Sequence, residues 1–119
     1  MKKKIIDYAQ GDICLIDFNP TIGDEIHKIR PAIIINGDFA VGLDLKIVAP
    51  ITSWKSEFEK IWWLVKLVPS GNNGLDSDSA VNCYQMRCVS VDRIIKNLGK
   101  ETADLENIIA TSQNCIEIM

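Results

Sequence analysis

Arg30 and Thr52 carry the chemistry that this sequence offers most plainly. Arg30 leads into Pro31-Ala32-Ile33-Ile34-Ile35, and Thr52-Ser53 follow Ile47-Val48-Ala49-Pro50-Ile51. Each segment joins an apolar run to polar residues at one end. If the two are neighbouring antiparallel strands, the start of one lies beside the end of the other. A permanent cation with a rigid fork of donors then shares a sheet edge with a hydroxyl. Such a pair suits an anion, and a phosphate above all. On charge alone, an ion pair to Glu25 or Asp24 is the commoner use of Arg30. Thr52 by itself is a weak signal, because threonine is common in strands.

Few other residues compete for a chemical role. His27 is the single histidine. A surface position is its ordinary reading, yet three residues before Arg30 it can reach the same site. One histidine excludes a two-histidine nuclease, and no nucleophile elbow accompanies it for a Ser-His-Asp triad. No glycine-rich segment has the spacing of a phosphate loop or a dinucleotide fold. Asp76 and Asp78 lie among serines in a turn-rich stretch, a pattern of solvated caps more than of an acid/base pair. Cys14, Cys83, Cys88 and Cys115 lack metal-ligand spacing, so no metal or other cofactor is expected. Buried, reduced thiols fit better, because Cys14 and Cys83 sit in strand-like runs.

The elements that must position Arg30 and Thr52 belong to one domain, residues 1–119, rich enough in apolar residues (47%) to bury a core. Its longest apolar stretches are too short to cross a bilayer. Lys2-Lys3-Lys4 resembles the start of a signal peptide, but Asp7 follows Ile5-Ile6 at once, which predicts a cytoplasmic protein. The net charge of −3 argues against a nonspecific nucleic-acid binder, while leaving room for a locally positive groove.

Strands are predicted at 10–18, 31–36, 45–51, 62–68 and 79–87, with 89–91 extending the last or starting another. Pro31 would occupy the first position of its strand. Residues 92–99 read as a short turn closed by Gly99. A helix is predicted over about 103–114, N-capped by Thr102, with Leu105, Ile108, Ile109 and Ser112 on one stripe. The tail Asn114-Cys115-Ile116-Glu117-Ile118-Met119 alternates like a last strand or a packed tail. Trp62 and Trp63 would point to opposite faces of a strand, which suggests a dimer contact or a base-stacking surface. The expected fold is α+β, mainly β: a small, partly open barrel of antiparallel strands covered by a C-terminal helix.

At these residues the chain resembles the MazF/PemK toxins of type II toxin–antitoxin systems. Gln10-Gly11-Asp12-Ile13 with Asp17-Phe18-Asn19-Pro20 looks like that family's opening strand. Gly23 and Glu25 precede Arg30-Pro31-Ala32 with the family's spacing. Ala49-Pro50-Ile51-Thr52-Ser53 is similar to its third-strand signature. Asp78-Ser79-Ala80, Gln85-Met86-Arg87 and Arg93 resemble its late block.

The resemblance implies an SH3-like barrel with helices attached, a homodimer, and a metal-independent ribonuclease that cuts single-stranded RNA at short sequences. Arg30 and Thr52 fall on the family's catalytic arginine and threonine. A ribose 2′-OH would attack the adjacent phosphate, leaving a 2′,3′-cyclic phosphate and a 5′-OH. Glu25 and His27 are candidate bases for that hydroxyl. Asn19, Lys28, Ser53, Trp54 and Gln85 are candidate RNA contacts. A cognate antitoxin would block the RNA groove with an acidic or disordered segment. The chain departs from the best-known members at Ile26-His27-Lys28-Ile29, where they have a glycine-rich turn, and at Trp62-Trp63. Two other functions fit the same fold: a CcdB-like poison that binds DNA gyrase without catalysis, and a binding module that has lost activity.

Overall fold

Alternation along three strands divides the interior into two cores. The computed structural model describes residues 7–118. In β1 (Asp12–Asp17), Ile13 faces one side and Cys14 and Ile16 the other. β2 (Ile29–Ile34) sends Ile33 to the first side and Ala32 and Ile34 to the second. β3 (Leu45–Ser53) does the same with Ala49 and Ile51 against Val48. This is the period-two pattern of a sheet buried on both faces.

β4 (Leu64–Leu67), β5 (Ser79–Asn82) and α1 (Leu105–Asn114) close the first core with Val65, Leu67, Val81 and Ile108. β6 (Arg87–Ser90) and β7 (Ile94–Lys100) flank the second, where Phe18 and Val89 are buried. All pairings are antiparallel, in the order β4-β5-β3-β2-β1-β7, with β6 also on β3. The seven-stranded sheet curls without closing, as the expected partly open barrel.

β3 explains the curl. Residues 45–48 pair with β6 and residues 51–53 with β5, while β2 holds the other edge. Pro50, which has no N–H, falls in the interval between the two partners. One long strand thus serves two sheets, bending where it changes partner.

Several elements differ from the sequence expectations. β2 begins at Ile29, so Pro31 is its third residue, opposite Leu15. Residues 79–87 do not form one strand: they break at Cys83, and β6 restarts at Arg87. Residues 94–100 are a strand, not a turn. β7 lies at the edge of the sheet, where one side faces solvent, so Lys96 and Asn97 are compatible with pairing. Trp62 and Trp63 precede β4, and instead of taking opposite faces they pack edge to face at 5.6 Å. The tail after α1 is not a strand either: Cys115 packs on the first core, whereas Ile116 and Ile118 are exposed. Lys2-Lys3-Lys4 and Met119 lie outside the described residues.

The helix starts later than predicted, with Asp104 rather than Thr102 at its N-cap. Buried Glu101 does the capping, because its Oε2 accepts the Asp104 N–H (3.1 Å) and its Oε1 accepts the Asn73 amide (3.1 Å). The stripe is seated chiefly by Ile108, whose burial contributes about 1.5–3 kcal/mol.

One more buried charge is reconciled by partners. The Lys46 ammonium donates to Asp7 (3.0 Å) and to the Ala40 carbonyl (2.8 Å), and that bond holds the Asp7 carboxyl below its ordinary value. Cys14 and Cys83 are buried thiols as expected, and burial pushes them up to about 12 and about 11. Cys88 is exposed.

Candidate active site

The register of β2 on β3 places the two residues of interest. Ala32 stands opposite Pro50 and Ile33 opposite Ala49. Carried one pleat further, this register sets Arg30 across from Thr52, with both side chains on the face of the second core. Arg30 Nη1 donates to Thr52 Oγ1 at 3.1 Å. Its Nε donates to the His27 carbonyl at 2.8 Å. Among the described residues Arg30 makes no ion pair, so the expected partners Glu25 and Asp24 are not used. A half-buried guanidinium whose charge no carboxylate neutralises, with donors to spare, is suited to an anion.

A cavity of about 470 Å³ opens where β3 changes partner. Pro50 forms its floor. Asp24, Glu25 and Ile26 of the β1–β2 loop form one wall, and Tyr84, Gln85, Met86 and Arg87 of the β5–β6 turn form the other, with Phe18 beneath. The Arg87 guanidinium lies 5.8 Å from the Phe18 ring centroid, a cation–π contact. Tyr84, Met86 and Arg87 were not singled out as site residues from the sequence. The broken strand concealed them, since a continuous 79–87 strand has no turn to line a pocket.

The remaining candidates divide into two groups. Glu25 lines the cavity, where its carboxylate also accepts the Ile22 N–H at 2.6 Å. His27 is exposed, and Arg30 meets its carbonyl rather than its ring. Lys28 and Ser53 are exposed at the strand ends. Trp54 is held beside them by its N–H to the Asp78 carbonyl (3.0 Å), with Lys66 Nζ 5.1 Å from its ring. Asn19 and Gln85, by contrast, already use their side-chain amides inside the protein. Asn19 Oδ1 accepts the Lys28 N–H (3.1 Å), and Gln85 bonds the backbone of residues 24 and 26. Arg93 donates to the carbonyls of Asp17 and Asn19, bracing the same loop from below. Among the described residues no three of His, Cys, Asp and Glu are grouped to hold a metal ion.

A small curled sheet with an arginine–threonine pair joined across two neighbouring strands defines a class, and sequence comparison names it. Residues 9–114 match the PemK-like, MazF-like toxins of type II toxin–antitoxin systems, and the chain belongs to that family. It is 26% identical over 100 residues to the endoribonuclease MazF9 of Mycobacterium tuberculosis, covering 79% of this chain and 82% of that one. Its fold is similar to that of MazF from Deinococcus radiodurans (19% identity, TM-score 0.71, 93% and 94% of the two chains). It is also similar to the M. tuberculosis toxin MazF-mt6 (22% identity, TM-score 0.69, 91% and 98%). A mycobacterial endoribonuclease solved with its cognate antitoxin shares the fold at 18% identity (TM-score 0.66, 88% and 89%).

Proposed function

We propose that this protein is an endoribonuclease toxin that cuts single-stranded RNA without a metal, at the Arg30–Thr52 pair. The observation that carries the reading is the 3.1 Å bond between these side chains, with Thr52 two residues along β3 from Pro50, which lines the open cleft. Family membership and an endoribonuclease relative support the activity. RNA supplies its own nucleophile. The 2′-oxygen gives its proton to a base and forms a bond to phosphorus as the bond to the 5′-oxygen breaks. The departing 5′-oxygen takes a proton from water, so the products are a 2′,3′-cyclic phosphate and a 5′-OH.

Arg30 binds the phosphoryl oxygens, where charge develops in the transition state. Thr52 holds the phosphate or the attacking hydroxyl in line. Glu25 takes the 2′-OH proton: both it and His27 are exposed, but only Glu25 lines the cavity. Ser53, Trp54 and Lys28 meet the flanking nucleotides by hydrogen bonding, stacking and charge. Neither a gyrase poison nor an inactive module requires the arginine and threonine to be joined.

The test is cleavage of RNA in EDTA with both new ends mapped. Thr52→Val should lower kcat by about tenfold to a hundredfold, because a donor and acceptor is lost at little change of shape, whereas Thr52→Ser keeps most activity. Absence of cutting by the wild type would remove the nuclease reading.

The proposal includes a homodimer and an antitoxin that covers the cleft. Leu45 and Ile47 are 55% and 39% exposed at the first end of β3, with Phe39, Val41 and Leu43 exposed just before them. Such an apolar strip is suited to a second copy. Light scattering at micromolar concentration should give twice the chain mass, and a monomer there would contradict the dimer.

A further inference from the structure

We propose that Gln85 is a positioning residue for Arg30, acting through the β1–β2 loop. For its effect on rate, this rests on Arg30 as the phosphate-binding group. The geometry stands by itself.

Arg30 has two anchors, Thr52 and the His27 carbonyl. The second belongs to a loop, so something must hold that carbonyl in place. The peptide unit between His27 and Lys28 is planar, so its C=O and N–H are aimed together. Its C=O takes the Arg30 Nε–H at 2.8 Å, and its N–H donates to Asn19 Oδ1 at 3.1 Å. Lys28 itself sits at φ 72°, an uncommon conformation for a residue with a side chain, so the surroundings must hold it there.

Gln85 supplies the hold on the residues just before. Its Oε1 accepts the Ile26 N–H at 2.6 Å, and its Nε2 donates to the Asp24 carbonyl at 3.1 Å. Its own N–H donates to Asn82 Oδ1 (3.1 Å), which fixes the β5–β6 turn that presents it. One planar amide therefore clasps two backbone groups of the loop, one as acceptor and one as donor. Asparagine is shorter by a methylene and cannot span the same gap. A carboxylate can accept from Ile26 but faces the Asp24 carbonyl with a second acceptor. A protonated carboxyl restores the match, since it offers one acceptor and one O–H donor in nearly the same shape.

That last point makes the idea testable without RNA. The Arg30 Nε–H resonance is followed by NMR in the wild type, Gln85→Leu and Gln85→Glu. At pH 7 both variants should lose the hydrogen-bonded shift and exchange protection of Nε–H. In Gln85→Glu the wild-type signature should return as the pH falls towards about 4, where a glutamate protonates. A loop that is merely stabilised by Gln85 would show no such return. In cleavage, Gln85→Leu should lower kcat about tenfold with KM within about twofold, the mark of misplacement rather than lost binding. An Arg30 resonance unchanged in both variants at pH 7 would overturn the proposal. So would a raised KM with unchanged kcat, which identifies a direct RNA contact. If Gln85→Leu fails to fold, the pH series on Gln85→Glu decides the question by itself. A wild type that cuts no RNA removes the nuclease reading but leaves the resonance test intact.

Discussion

Arg30→Ala should lower kcat for RNA cleavage by about 10²–10³-fold, the usual cost of deleting one preorganised donor group from a charged transition state. The expectation follows from how the guanidinium is held. His27 and Thr52 occupy one N–H each and fix its plane, and among the described residues no ion pair draws off its charge. A donor set that needs no reorganisation is worth most when charge develops on the phosphate. Arg30→Lys keeps the charge but loses the fork, so it cannot hold both anchors and a phosphate, and it should recover only a minor part of the rate. Single-turnover cleavage of a short RNA in EDTA measures both variants, with thermal melting as control. Because Arg30 is only half buried, the melting point should move little. Cleavage by Arg30→Ala at the wild-type rate would remove Arg30 from the chemistry.

The largest effect on stability is expected at a turn far from the cleft. Gly74→Ala should destabilise the fold by about 3 kcal/mol or more. Gly74 has φ +72°, and a Cβ there would stand 2.2 Å from the Leu98 carbonyl oxygen. The clash is with backbone, and β7 cannot yield easily because Lys100 N–H is bonded to the Asn72 carbonyl at 2.8 Å. Gly99 meets the same crossing from the other side, where a Cβ would lie 2.3 Å from the Asn72 oxygen. Gly71→Ala is the matched control. Its φ is +80° but nothing lies within 4 Å, so only the conformational cost of about 1–2 kcal/mol applies. Urea unfolding of the two variants separates strain from collision. Equal midpoints would show that the crossing relaxes freely.

Gly99 also shows where sequence reading failed and why. A glycine at the end of a short segment is normally a stop, so 92–99 read as a turn. In the fold the glycine is needed because another segment crosses there, and the strand continues through it to Lys100. Trp62 and Trp63 failed for a related reason. Their alternation was read on a strand that starts only at Leu64. Apolar periodicity detects a strand but does not mark its first residue.

Read alone, the sequence was sufficient for the mainly β class, the terminal helix and the buried Cys14 and Cys83, and it made the pairing of Arg30 with Thr52 conditional on their strands being neighbours. These follow from local pattern: apolar runs bounded by turn residues, and two polar ends that meet if their strands pair antiparallel. The tertiary structure alone decided that Arg30 makes no ion pair among the described residues, that Asn19 and Gln85 hold the loop, and that a cavity opens beside Pro50. Each of these depends on contacts between residues distant in the chain, such as Gln85 on Asp24 and Ile26. Side-chain type shows what bonds a residue can make. Only the packed chain selects which of those bonds are within reach.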